Sequence, residues 1–357
     1  MNLTILIEPD QANSNLRAAE LLLSCNRSIC DRIWLLLGEL MRAYLDFEKP
    51  VAELEAKIAE LNNVSNDEEN SVKIDEELKL LEAKGAKALA ELYANLTPWQ
   101  KTQVARHQDR PHFRDYVNAL IQDFTPLAGD RKFSEDEAIV GGFGRFHGES
   151  VCVIGHEKGS DTESRLRHNF GMARPEGYRK AVRLMEMANH FGIPVISLVD
   201  TAGAFPGVDA EERGQAEAIA RSIETCLALE VANVSVIVGE GGSGGAIALA
   251  TANKVLMLEH SVYTVASPEA AASILWRDSG KRQDAATMMK ITAQDLLNFN
   301  IIDEIINEPV GGAHRNPEKT IAETGETINN SLKSLNNMDG ASLRNARADK
   351  FLALGRV

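Results

Sequence analysis

The sequence has little cysteine: only four residues among 357, at Cys25, Cys30, Cys152 and Cys226. They form no Cys-x-x-Cys pair, which argues against a zinc ribbon and against a thioredoxin-type redox site. So few cysteines in a long chain are typical of a reducing compartment, and we expect these thiols to be small core residues. The histidines do not show the spacing of metal ligands either, so no metal site is predicted.

The chain also lacks a long apolar run and an excess of positive charge. The apolar run at 33–38 is far shorter than the ~18 residues that span a bilayer, and residues 1–7 lack the basic region of a signal peptide. Lys and Arg number 38 against 52 Asp and Glu, which gives a net charge of −14. Such acidity is unlike a protein that coats nucleic acid or an anionic membrane. We therefore expect a cytoplasmic protein that binds neither.

Four segments of different character follow one another along the chain. Residues 1–43 are interpreted as an atypical N-terminal extension, with Met41 a plausible native first residue. Apolar residues at helical spacing predict a helical module at 44–125, in which Thr97 and Pro98 start the third helix. A core domain is predicted at 126–310, and a C-terminal helical tail at 311–357.

Within the core domain, short apolar runs alternate with helical patterns. Strands are predicted at 138–146, 149–155, 195–200, 234–238, 254–258, 262–265 and 301–306, with a hairpin turn at His147-Gly148. Helices are predicted at 176–191, 211–229, 244–252 and 271–276. Because pairs of strands often precede a helix, the pattern favours an α/β fold of repeated β-β-α units over a plain doubly wound sheet.

Two glycine-rich turns stand where a buried strand ends and a helix is about to begin. The first, at 200–207, reads Asp-Thr-Ala-Gly-Ala-Phe-Pro-Gly, and the second, at 239–246, reads Gly-Glu-Gly-Gly-Ser-Gly-Gly-Ala. Ligands gather at the carboxyl ends of such strands, and unpaired amides at a helix N-terminus favour an anion. A purely structural role in tight strand–helix contacts is the alternative. Neither turn matches a phosphate-binding motif, which argues against a nucleotide-cradling loop.

The second turn also satisfies the Gly-x-Ser-x-Gly pattern of a nucleophile elbow, with Ser243 as the nucleophile. Asp303 and His314 follow in the order that would complete a catalytic triad. A pattern made almost wholly of glycine is easily matched by chance, and no His-Gly-Gly-Gly-type oxyanion loop precedes it. A serine hydrolase is therefore kept as the alternative function.

Basic side chains are concentrated at 158–183 in this otherwise acidic chain. Seven basic residues stand there against three acidic ones, the basic ones being Lys158, Arg165, Arg167, Arg174, Arg179, Lys180 and Arg183. They could attract the phosphates of a nucleotide-bearing substrate or an acidic partner protein, or they could simply be a solvated surface.

Longer motifs stand in order from about residue 44 to about residue 350. They are Leu45-Asp46-Phe47-Glu48, Gly129-Asp130-Arg131, Asn169-Phe170-Gly171-Met172, 175–181, 210–215, 239–246, Ser267-Pro268-Glu269, 273–276 and 311–317. Together they resemble the alpha subunit of bacterial acetyl-coenzyme A carboxylase carboxyltransferase. The sequence departs from that pattern at Ala202, where Pro is more usual, and at Ala270 and Ala271, where Gly and Cys are common.

The resemblance implies a crotonase/ClpP-like spiral of β-β-α units. It also implies transfer of a carboxyl group from carboxybiotin, held on a biotin carboxyl carrier protein, to acetyl-CoA, giving malonyl-CoA in the first committed step of fatty acid synthesis. Both molecules are substrates, and no covalently bound cofactor is implied. The implied partners are a zinc-ribbon beta subunit in an alpha2-beta2 assembly, without which the chain would be inactive, and biotin carboxylase in the wider ATP-binding complex.

The implied reaction passes through two oxyanions, the thioester enolate and the ureido oxygen of biotin, which backbone amides can stabilise without a side-chain acid or base. The resemblance places one oxyanion hole between the glycine turns, at Gly203, Ala204, Gly241, Gly242, Ser243, Gly244 and Gly245. The expected substrate-binding residues are Arg174, Tyr178, Arg179, Lys180, Phe205, Pro206 and Gly207. The beta subunit would supply the second hole.

Overall fold

The structure is a computed structural model, and it describes residues 43–64 and 71–356. Nearly all of the predicted N-terminal extension, including Cys25, Cys30 and Met41, lies outside the described residues. Residues Phe47–Val357 form one compact unit.

The amino-terminal helices follow the predicted pattern. Helix α1 spans Lys49–Val64, α2 spans Ser71–Ala94, α3 spans Pro98–Ala105 and α4 spans Phe113–Leu120. Helix α3 starts as the sequence predicts, because the Thr97 hydroxyl accepts a hydrogen bond from the Gln100 amide at 3.3 Å while the Gln100 side chain accepts one from the Thr97 amide at 2.8 Å. This reciprocal capping satisfies two amides at the helix start.

Within the described residues, eight strands, numbered β1 to β8 in chain order, form one sheet in the spatial order β1-β2-β3-β4-β5-β6-β8, and β7 pairs with the carboxyl end of β5. The strands are Gln122–Pro126, Ile139–Phe146, Glu149–His156, Val195–Thr201, Asn233–Gly242, Lys254–Leu258, Val262–Thr264 and Glu304–Ile306. Strands β1 to β3 pair antiparallel, and the remaining pairs are parallel. Strands β4 and β5 are buried along their whole length, as expected of parallel strands covered on both faces.

Strand β1 was not predicted from the sequence. It spans Gln122–Pro126 and pairs with β2, so the predicted boundary at 125/126 between the helical module and the core domain falls inside a strand.

The predicted hairpin turn joins β2 to β3. Phe146 pairs with Glu149, and both loop residues have positive φ, 49° at His147 and 86° at Gly148. Two such residues in succession are typical of the turn that fits the twist of a β-hairpin.

The remaining helices are α5 at Thr162–Arg167, α6 at Pro175–Phe191, α7 at Val208–Glu212, α8 at Gln215–Ala228, α9 at Ser243–Ala250, α10 at Pro268–Trp276, α11 at Arg282–Met289, α12 at Ala293–Asn298, α13 at Pro317–Leu335 and α14 at Gly340–Ala353. The helix predicted at 211–229 is two helices, because Gly214 between them has a left-handed φ of 82°.

The second glycine segment differs from its prediction. Residues 239–242 are strand and not turn, because Glu240, Gly241 and Gly242 continue the ladder of β5 by pairing with β7. Helix α9 then begins at the very next residue, Ser243. The doubled strands predicted before a helix are found at β2–β3 and β6–β7, whereas β4 and β5 are single strands.

The C-terminal helices belong to the core of the molecule. Ile321, Ile328 and Leu335 of α13 and Leu343 of α14 are buried in the same apolar cluster as residues of β5. Arg347 of α14 is fully buried, and its guanidinium donates hydrogen bonds of 2.8 Å to the carbonyl oxygens of Cys226 and Leu229, just before β5. The predicted tail is thus part of the support of the central strands.

Two of the cysteines, Cys152 and Cys226, are free thiols in the core, as predicted. Burial raises the pKa of each to about 12. Across the described part of the chain, no helix has the length and apolar character needed to cross a membrane.

Candidate functional site

The two glycine segments meet at the carboxyl ends of neighbouring parallel strands. Thr201, the last residue of β4, pairs with Gly241 of β5. A Cβ atom on Gly245 would lie 2.8 Å from the carbonyl carbon of Gly203 and 3.0 Å from the amide nitrogen of Ala204. Only glycine permits this approach of the helix start to the loop. The structure therefore brings together the residues proposed for the oxyanion hole.

The amides around this contact differ in their partners. The Gly203 amide donates to the Thr201 hydroxyl at 3.1 Å, and the Phe205 amide donates to the Ala173 carbonyl at 3.0 Å. Ala204 lies between them and is only half-buried. Gly203 is thus engaged within the loop, which makes Ala204 the better donor to a ligand.

The start of helix α9 offers the second group of amides. Ser243 has a φ of 52° and is exposed, Gly244 is half-buried and Gly245 is buried. The first amides of an α-helix have no acceptor within the helix, and the helix dipole makes this end positive. An oxyanion beside the Gly203–Ala204 peptide would lie next to these amides.

The conformation of Ser243 also suits a nucleophile elbow, but the proposed triad is not assembled. Asp303 accepts a hydrogen bond of 2.7 Å from the amide of Val255, which pairs with Ser235 in β5. Ser235 precedes Ser243 by eight residues of sequence, which is roughly 25 Å at the rise of a strand. Asp303, which lies beside this part of β5, is therefore far from Ser243. The His314 ring stacks on His107 with 3.8 Å between ring centroids.

A network of charged side chains lies beside the glycine segments. Lys158 Nζ is 2.7 Å from Asp200 Oδ1 and 3.2 Å from Glu240 Oε2. Arg106 Nε is 2.6 Å from Glu240 Oε1, and His112 Nδ1 is 3.8 Å from Asp200 Oδ2. Lys158 follows β3, and Asp200 and Glu240 lie near the carboxyl ends of β4 and β5. Arg106 and His112 come from the N-terminal helical region.

The network fixes the charge states of its members. Burial disfavours the charged forms, but Asp200 and Glu240 raise the pKa of Lys158. Burial likewise opposes ionisation of Asp200, yet Lys158 and His112 hold its pKa well below the usual range. Asp200 and Lys158 are therefore an ion pair at neutral pH.

A cavity of about 210 Å³ opens above this network and reaches Ala202 of the first glycine turn. Phe170 lines it and is 49% exposed. Asn169, Phe170 and Gly171 have successive φ values of 46°, 55° and 77°. For the bulky Phe170 this conformation is strained, and such strain clusters at functional sites, so this loop is a candidate for ligand contact.

Comparison with known proteins identifies the family. Residues 44–355 match the family model described as acetyl co-enzyme A carboxylase carboxyltransferase-like. The chain belongs to this family. It is 68% identical over 316 residues to the acetyl-coenzyme A carboxylase carboxyl transferase subunit alpha of Xanthobacter autotrophicus, covering 88% of this chain and 99% of that protein. The same-named protein of Nitrobacter winogradskyi is also 68% identical, over 88% of this chain and 98% of its own length. The resemblance found in the sequence is thus confirmed.

Solved structures of a transcarboxylase and of a carboxylase subunit share the fold. The transcarboxylase 12S matches with a TM-score of 0.53 and 18% identity, over 65% of this chain and 44% of that chain. The beta subunit of P. aeruginosa geranyl-CoA carboxylase matches with a TM-score of 0.50 and 15% identity, over 71% and 46% of the two chains. These likenesses confirm the predicted crotonase-like α/β fold.

Of the three substrate-binding residues predicted on helix α6, Tyr178 and Lys180 are buried, whereas Arg179 is half-buried. Tyr178 is buried, and burial raises the pKa of its hydroxyl. The Lys180 ammonium donates to Glu135 and, at 2.8 Å, to the Asp136 carbonyl. The Arg179 guanidinium donates to the carbonyl oxygen of Arg213. Residues 135–136 thus hold the Lys180 ammonium, which the helix periodicity alone does not reveal.

The other predicted binding residues lie on the first glycine turn or over it. The Arg174 guanidinium lies 4.5 Å above the ring of Phe205 and remains partly exposed. Pro206 is exposed, and Gly207 is the N-cap residue that precedes helix α7. These residues form an accessible rim.

Arg106, His112, Asp200 and Glu240 were not predicted as site residues. Asp200 and Glu240 could have been noticed as acidic side chains at the ends of adjacent buried strands. Arg106 and His112 come from distant helical sequence and carry no such signal. Among residues 43–64 and 71–356, no group of three or more His, Cys, Asp or Glu side chains could hold a metal ion.

Proposed function

We propose that this chain is the alpha-type subunit of an acetyl-CoA carboxylase carboxyltransferase, which transfers a carboxyl group from carboxybiotin to acetyl-CoA and forms malonyl-CoA. The family assignment and the names of the relatives support the reaction class. One observation carries the site: the start of helix α9 touches the Gly203–Ala204 peptide backbone to backbone at the carboxyl end of the sheet.

The proposed reaction exchanges one bond for another. The bond between biotin nitrogen and the carboxyl carbon breaks, and that carbon joins the methyl carbon of acetyl-CoA. The methyl proton goes to the biotin ureido group, so the protein need not supply a base. Negative charge develops on the thioester oxygen and on the ureido oxygen.

In this proposal the amides of Ala204, Gly244 and Gly245 donate to one of those oxygens. The positive end of α9 adds a favourable field. Donors that are already oriented need not reorganise as the charge develops, and losing one typically costs ~10²–10³ in rate.

We assign the charged network an organising role. Lys158 and Arg106 are already paired with Asp200 and Glu240, so they hold together the ends of three strands. A shift of about 1 Å in one strand end would misplace the amides and cost rate. The network is thus a support for the oxyanion hole.

The proposal extends to partners. A zinc-ribbon beta subunit would supply the second oxyanion hole in an alpha2-beta2 assembly, and the biotin carboxyl carrier protein and biotin carboxylase would deliver carboxybiotin.

The test is to measure malonyl-CoA formation from acetyl-CoA and the carboxylated carrier protein, with this chain alone, with the beta subunit alone and with both. Activity only in the mixture is expected. Full activity of the beta subunit alone would contradict the proposal.

A further inference from the structure

We propose that Thr201 is a positioning residue, whose hydroxyl aims the amide of Ala204 into the oxyanion hole. The inference rests on the proposed function, since it concerns how that same hole is built. Thr201 ends strand β4 and is fully buried. Its side chain touches no reacting atom and acts through the backbone of Gly203.

The Thr201 hydroxyl makes two hydrogen bonds to one residue. It donates to the carbonyl oxygen of Gly203 at 2.8 Å and accepts from the amide of Gly203 at 3.1 Å. A hydroxyl has a single proton to donate, so the Gly203 carbonyl receives it. Both polar groups of Gly203 are therefore turned toward the end of β4.

This arrangement sets the direction of the next amide. The carbonyl of Gly203 and the amide of Ala204 belong to the same planar trans peptide, so they point in opposite directions. With the carbonyl held toward Thr201, the N–H of Ala204 must point away from it. Gly203 has a φ of 150°, which favours glycine.

The peptide so oriented lies against the start of helix α9. The position of a Cβ on Gly245 is 3.0 Å from the Ala204 nitrogen and equally close to the Tyr178 hydroxyl. Neighbours on that side restrict movement of the loop as a whole. Rotation of the Gly203–Ala204 peptide in place is the freedom that the Thr201 hydroxyl removes.

The test compares Thr201→Val, which lacks the hydroxyl but keeps the shape, with Thr201→Ser, which keeps the hydroxyl. In the complete complex with the beta subunit, Thr201→Val should lower kcat by about 10- to 100-fold, because one donor is misaimed and not removed. Its KM for acetyl-CoA should stay within about 3-fold, and Thr201→Ser should retain kcat within about 3-fold of the native value.

A matched control is Thr324→Val in helix α13. Thr324 is also buried, and its hydroxyl also donates to a backbone carbonyl, that of Thr320 at 2.7 Å. Loss of this hydrogen bond should affect stability alone and leave kcat unchanged. Turnover is expressed per assembled complex, which is isolated by size-exclusion chromatography. If the Thr201→Val variant does not assemble with the beta subunit, Thr201→Ala replaces it.

A native kcat in Thr201→Val would overturn the inference. A kcat in Thr201→Ser that is lowered as much as in Thr201→Val would also overturn it. Gly245→Ala separates this outcome from failure of the proposed function. Its methyl group would collide with the Gly203–Ala204 backbone, so full activity of Gly245→Ala would reject the oxyanion hole itself. Loss of activity in Gly245→Ala with native kcat in Thr201→Val would reject the role of Thr201 alone.

Discussion

A Cβ atom on Gly242 would lie 2.2 Å from the carbonyl oxygen of Ala202. The last residue of strand β5 therefore touches the loop after β4 through bare backbone. Any side chain at this position would push away the loop that carries Ala204. The shape of the proposed site depends on this contact as much as on the amides.

We expect Gly242→Val to abolish carboxyl transfer, with a loss of at least ~10² in kcat, because the displaced loop carries an oxyanion donor with it. Malonyl-CoA formation by the reconstituted complex measures the effect. The control is Gly85→Ala in helix α2, where a Cβ would be 3.8 Å from Ile58. It should be neutral or stabilising by up to ~1 kcal/mol. Near-normal turnover of Gly242→Val would remove this contact from the mechanism.

Ser243→Ala separates carboxyl transfer from serine hydrolysis. If Ser243 contributes only its backbone, the alanine variant should keep turnover within about 3-fold, since its amides are unchanged. A fluorophosphonate probe should not label the native protein. Labelling at Ser243, together with complete loss of activity in Ser243→Ala, would instead support the hydrolase.

Lys158→Met should destabilise the protein by about 2–4 kcal/mol at pH 7, because it leaves two mostly buried carboxylates without their shared cation. The control Lys87→Met breaks an exposed pair 3.8 Å apart in helix α2 and should cost at most ~0.5 kcal/mol. Urea unfolding of each variant gives the comparison.

The destabilisation by Lys158→Met should also depend on pH in a defined sense. Lys158 lowers the pKa of Asp200 in the folded state, so the pair contributes stability at pH values above ~4. That contribution is lost as the pH falls and Asp200 takes up a proton. The difference in free energy of unfolding between the native protein and Lys158→Met should therefore narrow below pH ~4. A difference that does not change with pH would contradict the assignment of Asp200 and Lys158 as an ion pair.

His156 should make the protein less stable as the pH falls from 7 to 4. Burial lowers its pKa to about 4, whereas an unfolded histidine has a pKa of ~6.5. Between these values the unfolded state binds more protons, which lowers the free energy of unfolding by about 2–3 kcal/mol at pH 4. His156→Gln should flatten this slope. The raised pKa of His112 increases the free energy of unfolding as the pH falls. This contribution is common to the native protein and to His156→Gln.

Local signals in the sequence predicted much of the fold. Thr97 and Pro98 mark a helix start, His147-Gly148 marks a hairpin, and the apolar run at 254–258 is strand β6 to the residue. Each of these signals depends only on residues that are adjacent in sequence. The alternation of strand and helix patterns predicted the α/β class, and the family motifs added the crotonase-like assignment.

What the sequence did not predict depends on distant partners. Strand β1 has no alternating apolar pattern, and residues 239–242 are strand because β7 pairs with them. The glycines of the site were found, but the engagement of Gly203 by Thr201 was not. Lys180 is turned inward because Glu135, 45 residues earlier, binds it.

The guanidinium of Arg347 also bears on the order in which this molecule is completed. It binds the carbonyl of Leu229, at the entry to β5, across 118 residues of sequence. During synthesis, the ribosome exposes that strand well before it makes the residue that anchors it. The amino-terminal end of β5, opposite its glycine segment, therefore gains this contact only after Arg347 has been made, late in synthesis.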